Sequence, residues 1–195
     1  MDYFESIIAT LLEVGELDEV DNTFKNCCWV RKSFKVNLTK EEKRQLNKPS
    51  IPRPEIDILA FNFAKNEIIA FEVKSYLDST GVKLEDLRKE NAIQEGRYKL
   101  FTSENYRSVV LDRLKQDLID RCMANENTTI KLGLAAGKVY QEQSEQIRAF
   151  MQENDWEFWS PEDIKKKIQE LAKPERGYEN DPMIITAKIL IRNRD

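Results

Sequence analysis

The stretch RPEIDILAFNFAKNEIIAFEVKSY, Arg53–Tyr76, decides the fold. It predicts two apolar strands, residues 55–63 and 67–76, around a short turn. Its most apolar part nevertheless carries Asp57, Glu72 and Lys74. Charged groups are almost never fully buried unless they are paired or bound to metal. An even-length loop, Ala64 to Glu67 or its inner pair Lys65-Asn66, fixes which residues meet. Phe63 then faces Ile68, Phe61 faces Ala70, Leu59 faces Glu72, and Asp57 faces Lys74. Side chains alternate along a strand, so these share one face, and Glu72 lies on the diagonal from Asp57 at ~7 Å. Ile56, Ile58, Phe71 and Val73 take the opposite, apolar face.

Two carboxylates from adjacent strands are hard oxygen ligands. They suit Mg²⁺ or Mn²⁺, which keep several waters and take one or two carboxylates plus substrate phosphate. Val73, between Glu72 and Lys74, can lend its carbonyl. A lysine two residues past Glu72 can hold an attacking water or offset charge on a phosphate. The plainer alternative is a partly buried Asp57–Lys74 salt bridge with Glu72 solvated.

Working outward, residues 2–15 predict a helix with Phe4, Ile7, Ile8, Leu11 and Leu12 on one stripe and Gly15 at its end. Residues 28–38 predict a strand. Residues 39–54 hold Pro49, Pro52 and Pro54 and predict a loop with one helical turn at TKEEKRQL. Residues 84–101 predict a helix weakened by Gly96, and 103–124 a stronger one. IKLGLAAGKV, residues 130–139, predicts a buried strand. A helix at QEQSEQIRAFMQENDW and a short strand WEFW, residues 156–159, follow. Ser160-Pro161 and Asp181-Pro182 each start a helix. The fold class is α/β, a mixed sheet with helices on its faces, in a single domain, 1–195.

The chain of 195 residues can bury a core without staples. It contains no histidine. That excludes Ser-His-Asp and Cys-His catalysis and histidine-ligated zinc. Cys27, Cys28 and Cys122 form no disulfide framework and read as small buried hydrophobes. No apolar run approaches the ~18 residues of a membrane helix, and the acidic start lacks a signal peptide's basic region, so a cytoplasmic protein without membrane contact is expected. Net charge is −4, yet Arg31, Lys32, Lys35, Lys40, Lys43, Arg44, Lys48 and Arg53 outnumber Glu41 and Glu42 in residues 31–54. Such a segment can follow a phosphate backbone or be simply solvated. Trp156 and Trp159 read as core before they read as base-stacking groups. Lys165-Lys166-Lys167 reads as a solvated helix face.

Pro54-Glu55-Ile56-Asp57 followed by Glu72-Val73-Lys74 resembles the motif of the PD-(D/E)XK nuclease superfamily, with its PD pair loosened to P-E-I-D. The element order over about residues 2–139 is similar to the family core, with residues 140–195 as a helical and strand extension. The resemblance implies a restriction-endonuclease-like three-layer α-β-α fold. It implies a nuclease hydrolysing DNA phosphodiester bonds, with Mg²⁺ or Mn²⁺ on Asp57, Glu72 and the Val73 carbonyl, and Lys74 assisting the water. Family members often complete the metal site from the first helix, where Glu5 borders the apolar stripe and is preferred to Glu13 or Glu16. RecB-like members carry Q-x-x-x-Y, and Gln94 and Tyr98 have that spacing on the expected helix. Arg31, Lys32, Lys35 and Arg53 then steer the substrate. A homodimer stays open, because many relatives dimerise to cut two strands. The competing reading is a catalytically silent nuclease-fold module that binds nucleic acid or a protein partner.

Overall fold

The computed structural model describes residues 3–18, 24–89, 96–176 and 180–193. Its framework is a five-stranded mixed sheet in the order β3-β4-β5-β6-β7. The strands are β3 (Trp29–Lys35), β4 (Glu55–Asn62), β5 (Glu67–Lys74), β6 (Thr129–Ala136) and β7 (Glu157–Trp159). A separate two-residue pairing joins β1 (Glu16–Leu17) to β2 (Phe24–Lys25). β3, β4 and β5 run antiparallel in sequence, whereas β6 lies parallel to β5 and β7 parallel to β6. Parallel neighbours need crossovers. The first contains α3 (Leu84–Arg88), α4 (Lys99–Thr102) and α5 (Glu104–Asp120), and the second α6 (Ser144–Glu153).

Each face of the sheet has its own core. Leu59, Phe61, Ile68, Ala70, Leu132 and Leu134 pack with Tyr106, Val110, Leu114 and Leu118 of α5. That spacing of four residues is the apolar stripe of a helix. Ile58, Ala60, Phe71, Val73 and Ala135 pack with Phe4, Ile8, Leu11 and Leu12 of α1 (Tyr3–Val14). Helices α7 (Pro161–Leu171) and α8 (Pro182–Arg192) add Ile164, Leu171, Ile184 and Ala187 to this second core. Both start as their sequences predict. Ser160 and Asp163 form a capping box on α7, and the Asp181 side chain accepts from Met183 N and Ile184 N on α8. The remaining helix, α2 (Lys40–Gln45), is the turn expected in the basic loop, with a capping box from Thr39 and Glu42.

Three expectations need correction. The hairpin register differs by two residues: Phe61 faces Ile68, Leu59 faces Ala70, and Asn62 faces Glu67. Asn62 Oδ1 accepts from Lys65 N at 3.1 Å, and Asn66 has φ +50°, so the turn is Phe63–Asn66. Phe63 leaves the strand and is 69% exposed. A shift of two keeps every side chain on its face. Ile56, however, joins the core of Leu59 and Phe61 instead of that of Ile58.

The expected helix over 84–101 is interrupted: α3 ends at Arg88, and Gly96 sits at φ +83° before α4 begins at Lys99. A left-handed residue cannot continue a helix. The cysteines are not buried hydrophobes. Cys27 and Cys122 are exposed and Cys28 is half-buried. Trp159 is buried and Trp156 packs against the first core, as expected. Among the described residues, no helix is long and apolar enough to cross a membrane.

Candidate functional site

The ladder of β4 gives way around Asp57. Pairing with β5 is regular from Asn62–Glu67 to Ile58–Phe71 and is not continued to Asp57. Pairing with β3 passes from Lys32–Ile58 to Phe34–Ile56 and skips Ser33, which has φ +52°. Such dislocations re-aim side chains and gather at functional sites. The Asp57 carboxylate takes over the missing ladder acceptor: Val73 N–H donates to Asp57 Oδ2 at 2.8 Å.

Asp57, Glu72 and Lys74 meet at this open end of the hairpin. Lys74 Nζ lies 3.6 Å from Asp57 Oδ2 and is directly paired with Glu72 Oε1. The corrected register extrapolates to Asp57 opposite Glu72, with Lys74 reaching across both. Glu5 comes from α1, on the other face of the sheet. The helix start can approach because residue 137 is glycine: a Cβ there would lie 2.5 Å from Ser75 O and 3.1 Å from Phe4 Cζ. The site therefore lies at the end of the sheet that the start of α1 approaches.

Burial raises the pKa of Glu72. Lys74 opposes that shift, while the charges of Asp57 and Glu5 reinforce it. The Lys74 ammonium is penalised by burial, but Glu72 and Asp57 outweigh this and hold its pKa above the ordinary value. Tyr106 is pushed up to about 12, first by burial and then by the charge of Glu72. The Tyr98 phenol is raised by burial and by its hydrogen bond with Tyr76.

A cleft of about 240 Å³ opens beside Glu72, lined by Arg53, Glu55, Arg97, Lys99 and Tyr106 among others. A second cleft shares Gly96 and Arg97 with it and continues past Tyr76, Asp86 and Lys89. Arg97 Nη1 donates to Tyr76 Oη at 3.3 Å. Arg97, Lys99, Tyr76 and Tyr106 were not singled out by the sequence. Arg97 lies within the Gln94–Tyr98 spacing, which offered a signal, whereas Tyr106 reads as one more residue of the α5 stripe.

Of the other expected site residues, Arg53 reaches the cleft and donates from Nη1 to Asn37 Oδ1 at 3.5 Å. Lys35 is paired with Glu55 at 3.8 Å. Arg31 is exposed on β3 opposite Leu59, and Lys32, opposite Ile58, donates to Ser6 Oγ of α1 at 3.5 Å. Tyr98 is buried at the start of α4, and Gln94 lies outside the described residues. Val73 is buried with α1, its N–H committed to Asp57. Of the fallback acids, Glu13 is exposed and Glu16 pairs with Lys167 at 2.5 Å.

Among the described residues, no three carboxylate or thiolate groups stand close enough to hold an ion by themselves. The donor set is a pair of carboxylates within the field of a third. Asp57, Glu72 and Glu5 against Lys74 leave an excess of negative charge that matches a divalent cation. Hard oxygens in that number fit Mg²⁺ or Mn²⁺ with waters completing the shell. Compared with protein-family models, curated proteins and solved structures, the chain gives no match.

Proposed function

We propose that this chain is a metal-dependent nuclease that hydrolyses DNA phosphodiester bonds at the open end of the β4–β5 hairpin. The observation that carries this reading is the convergence of Asp57, Glu72 and Lys74 where the ladder is interrupted. Helices on both faces of the mixed sheet support a restriction-endonuclease-like three-layer α-β-α fold, and Asp57 with Glu72-Val73-Lys74 resembles the PD-(D/E)XK motif.

A bound Mg²⁺ or Mn²⁺ supplies Lewis acidity toward the scissile phosphate and makes a bound water more acidic. Asp57 and Glu72 would hold it, and the Val73 N–H fixes the orientation of Asp57. Lys74 stays protonated, so its ammonium donates to the oxygen of the attacking water and offsets charge on the phosphate. Arg53, Arg97 and Lys99 bind the phosphates that flank the scissile bond. The chain has no histidine, so the water's proton leaves to solvent.

Lys74 already bridges the two carboxylates, which favours one other reading, a silent module that binds nucleic acid or a protein partner without cutting. Incubation with single-stranded, double-stranded and branched DNA plus Mg²⁺ separates the two. The nuclease reading expects cleavage that chelation abolishes and that Asp57→Ala and Lys74→Ala reduce by at least ~10²-fold. Binding without cleavage supports the silent module; neither activity rejects both.

A further inference from the structure

The hairpin tip carries an aromatic stack that the core does not consume. Trp29 packs edge-on against Phe61 at 5.6 Å, and Phe63 stacks on Phe61 at 6.0 Å with 22° between ring planes. Phe61 is buried and anchors the group, while Trp29 is 51% exposed and Phe63 69%. Trp29 and Arg31 lie opposite Phe61 and Leu59, so the guanidinium follows the indole on one face. β3 is the outer strand of the sheet, and its charged residues are all cations; Arg31 shares the platform's face, while Lys32, opposite Ile58, donates to Ser6 of α1 and Lys35 pairs with Glu55.

We propose that Trp29 and Phe63 form a base-stacking platform for an unpaired DNA strand, which β3 guides toward Asp57. The proposal rests on the nuclease reading and deepens it by naming the substrate as DNA with a single-stranded segment. Flat aromatic faces beside a cation, here Arg31, are the two elements that sequence-tolerant single-strand binding uses. The bases of an intact duplex are already stacked on one another and have no face to offer. Phe61 is four residues from Asp57 along β4, a distance of ~13 Å. A second copy of the chain is the weaker occupant. Edge-to-edge pairing of β3 would oppose like charges, and Ser33 at φ +52° breaks the regular edge that such pairing needs.

The test measures binding of a labelled short oligo(dT) and a blunt duplex of equal length by fluorescence anisotropy. The Asp57→Ala protein in chelator keeps the probe intact. Trp29→Ala and Phe63→Ala, each added to it, should weaken oligo(dT) binding about tenfold, and Trp29→Phe should restore most of it. Duplex binding should change less than about twofold, and the circular dichroism of each variant should match the parent. Phe63→Ala alters an exposed turn residue, so it tests the platform even if Trp29→Ala is poorly folded. Oligo(dT) affinity that neither substitution changes overturns the proposal. So does self-association that both substitutions abolish. Stack-dependent binding in a wild-type protein that does not cleave sustains the platform and rejects the nuclease. Asp57-dependent cleavage without stack dependence does the reverse.

Discussion

Two clusters in this chain have the same composition, one cation between two carboxylates, and similar burial. In one, Lys74 joins Asp57 and Glu72, with side chains 16–20% exposed. In the other, Arg113 of α5 joins Glu42 of α2 and Asp117, with side chains 12–22% exposed. Their electrostatics run in opposite directions. Burial raises the pKa of Glu42, but the Thr39 N–H at 2.7 Å and the Arg113 Nε at 3.0 Å outweigh it, and the result is a lowered value. Asp117 accepts a further backbone bond from Asn37 N at 3.2 Å. Glu72 is desolvated and faces two other carboxylates, and together these outweigh the Lys74 ammonium, so its pKa rises. One cluster satisfies its anions with fixed donors and ties α2 to α5. The other keeps unspent negative charge at a cleft. Perturbation by burial plus like charge, beside a cleft, is the signature expected of a functional site rather than of a structural ion pair.

The largest contrast lies in activity. Asp57→Ala should lower the DNA cleavage rate by at least ~10²-fold. Glu42→Ala should leave the rate per folded molecule within about twofold. Gel assays with protein concentrations corrected for folded fraction check both, and equal losses would erase the distinction between the clusters.

Stability should separate them in the other direction. Glu42→Ala removes a capping box and an ion-pair partner and should cost about 1–2 kcal/mol in urea unfolding. Glu72→Gln removes a charge that burial and the Asp57 and Glu5 carboxylates disfavour more than Lys74 favours it. In chelator it should raise the melting temperature by a few degrees, the scale of ~0.5–2 kcal/mol changes at functional sites. A lower melting temperature for Glu72→Gln would make this cluster structural as well.

The smallest effect is the pH dependence of those stabilities. The folded pKa of Glu72 is raised, so its contribution is full at low pH and is lost as pH rises through that folded value. The folded pKa of Glu42 is lowered, so its contribution is present above the unfolded value and is lost as pH falls through the folded one. Urea unfolding across the acid range should therefore show Glu72→Gln gaining on wild type as pH rises and Glu42→Gln losing ground. Parallel curves would contradict the two shifts.

The meeting of Glu72 and Lys74 at this end of the hairpin was legible because strand alternation has a period of two, so a register displaced by two residues left both on the expected face, whereas the dislocation that aims Asp57 was not. The displacement itself was not legible. It depends on Asn62 capping the turn through its side chain and on Asn66 adopting a left-handed conformation, and the apolar Phe63 hid both. Glu5 could be placed near the stripe of α1, but its approach to Glu72 depends on the close packing that Gly137 permits. The helix expected over 84–101 stops at Arg88, where Lys89 turns extended, and Gly96 at φ +83° precedes α4, two local breaks that the apolar periodicity did not reveal. The structural role of Glu42 was also hidden, since the ion pair with Arg113 joins residues 71 positions apart.

Calorimetric titration of Mn²⁺ into the metal-free protein tests the central claim most directly. Saturable binding is predicted for wild type and for Glu42→Gln, and its loss for Asp57→Ala and Glu72→Gln, each confirmed as folded. Binding that survives Asp57→Ala unchanged, or its absence in the wild-type protein, would contradict the claim that the open end of this hairpin is a metal site.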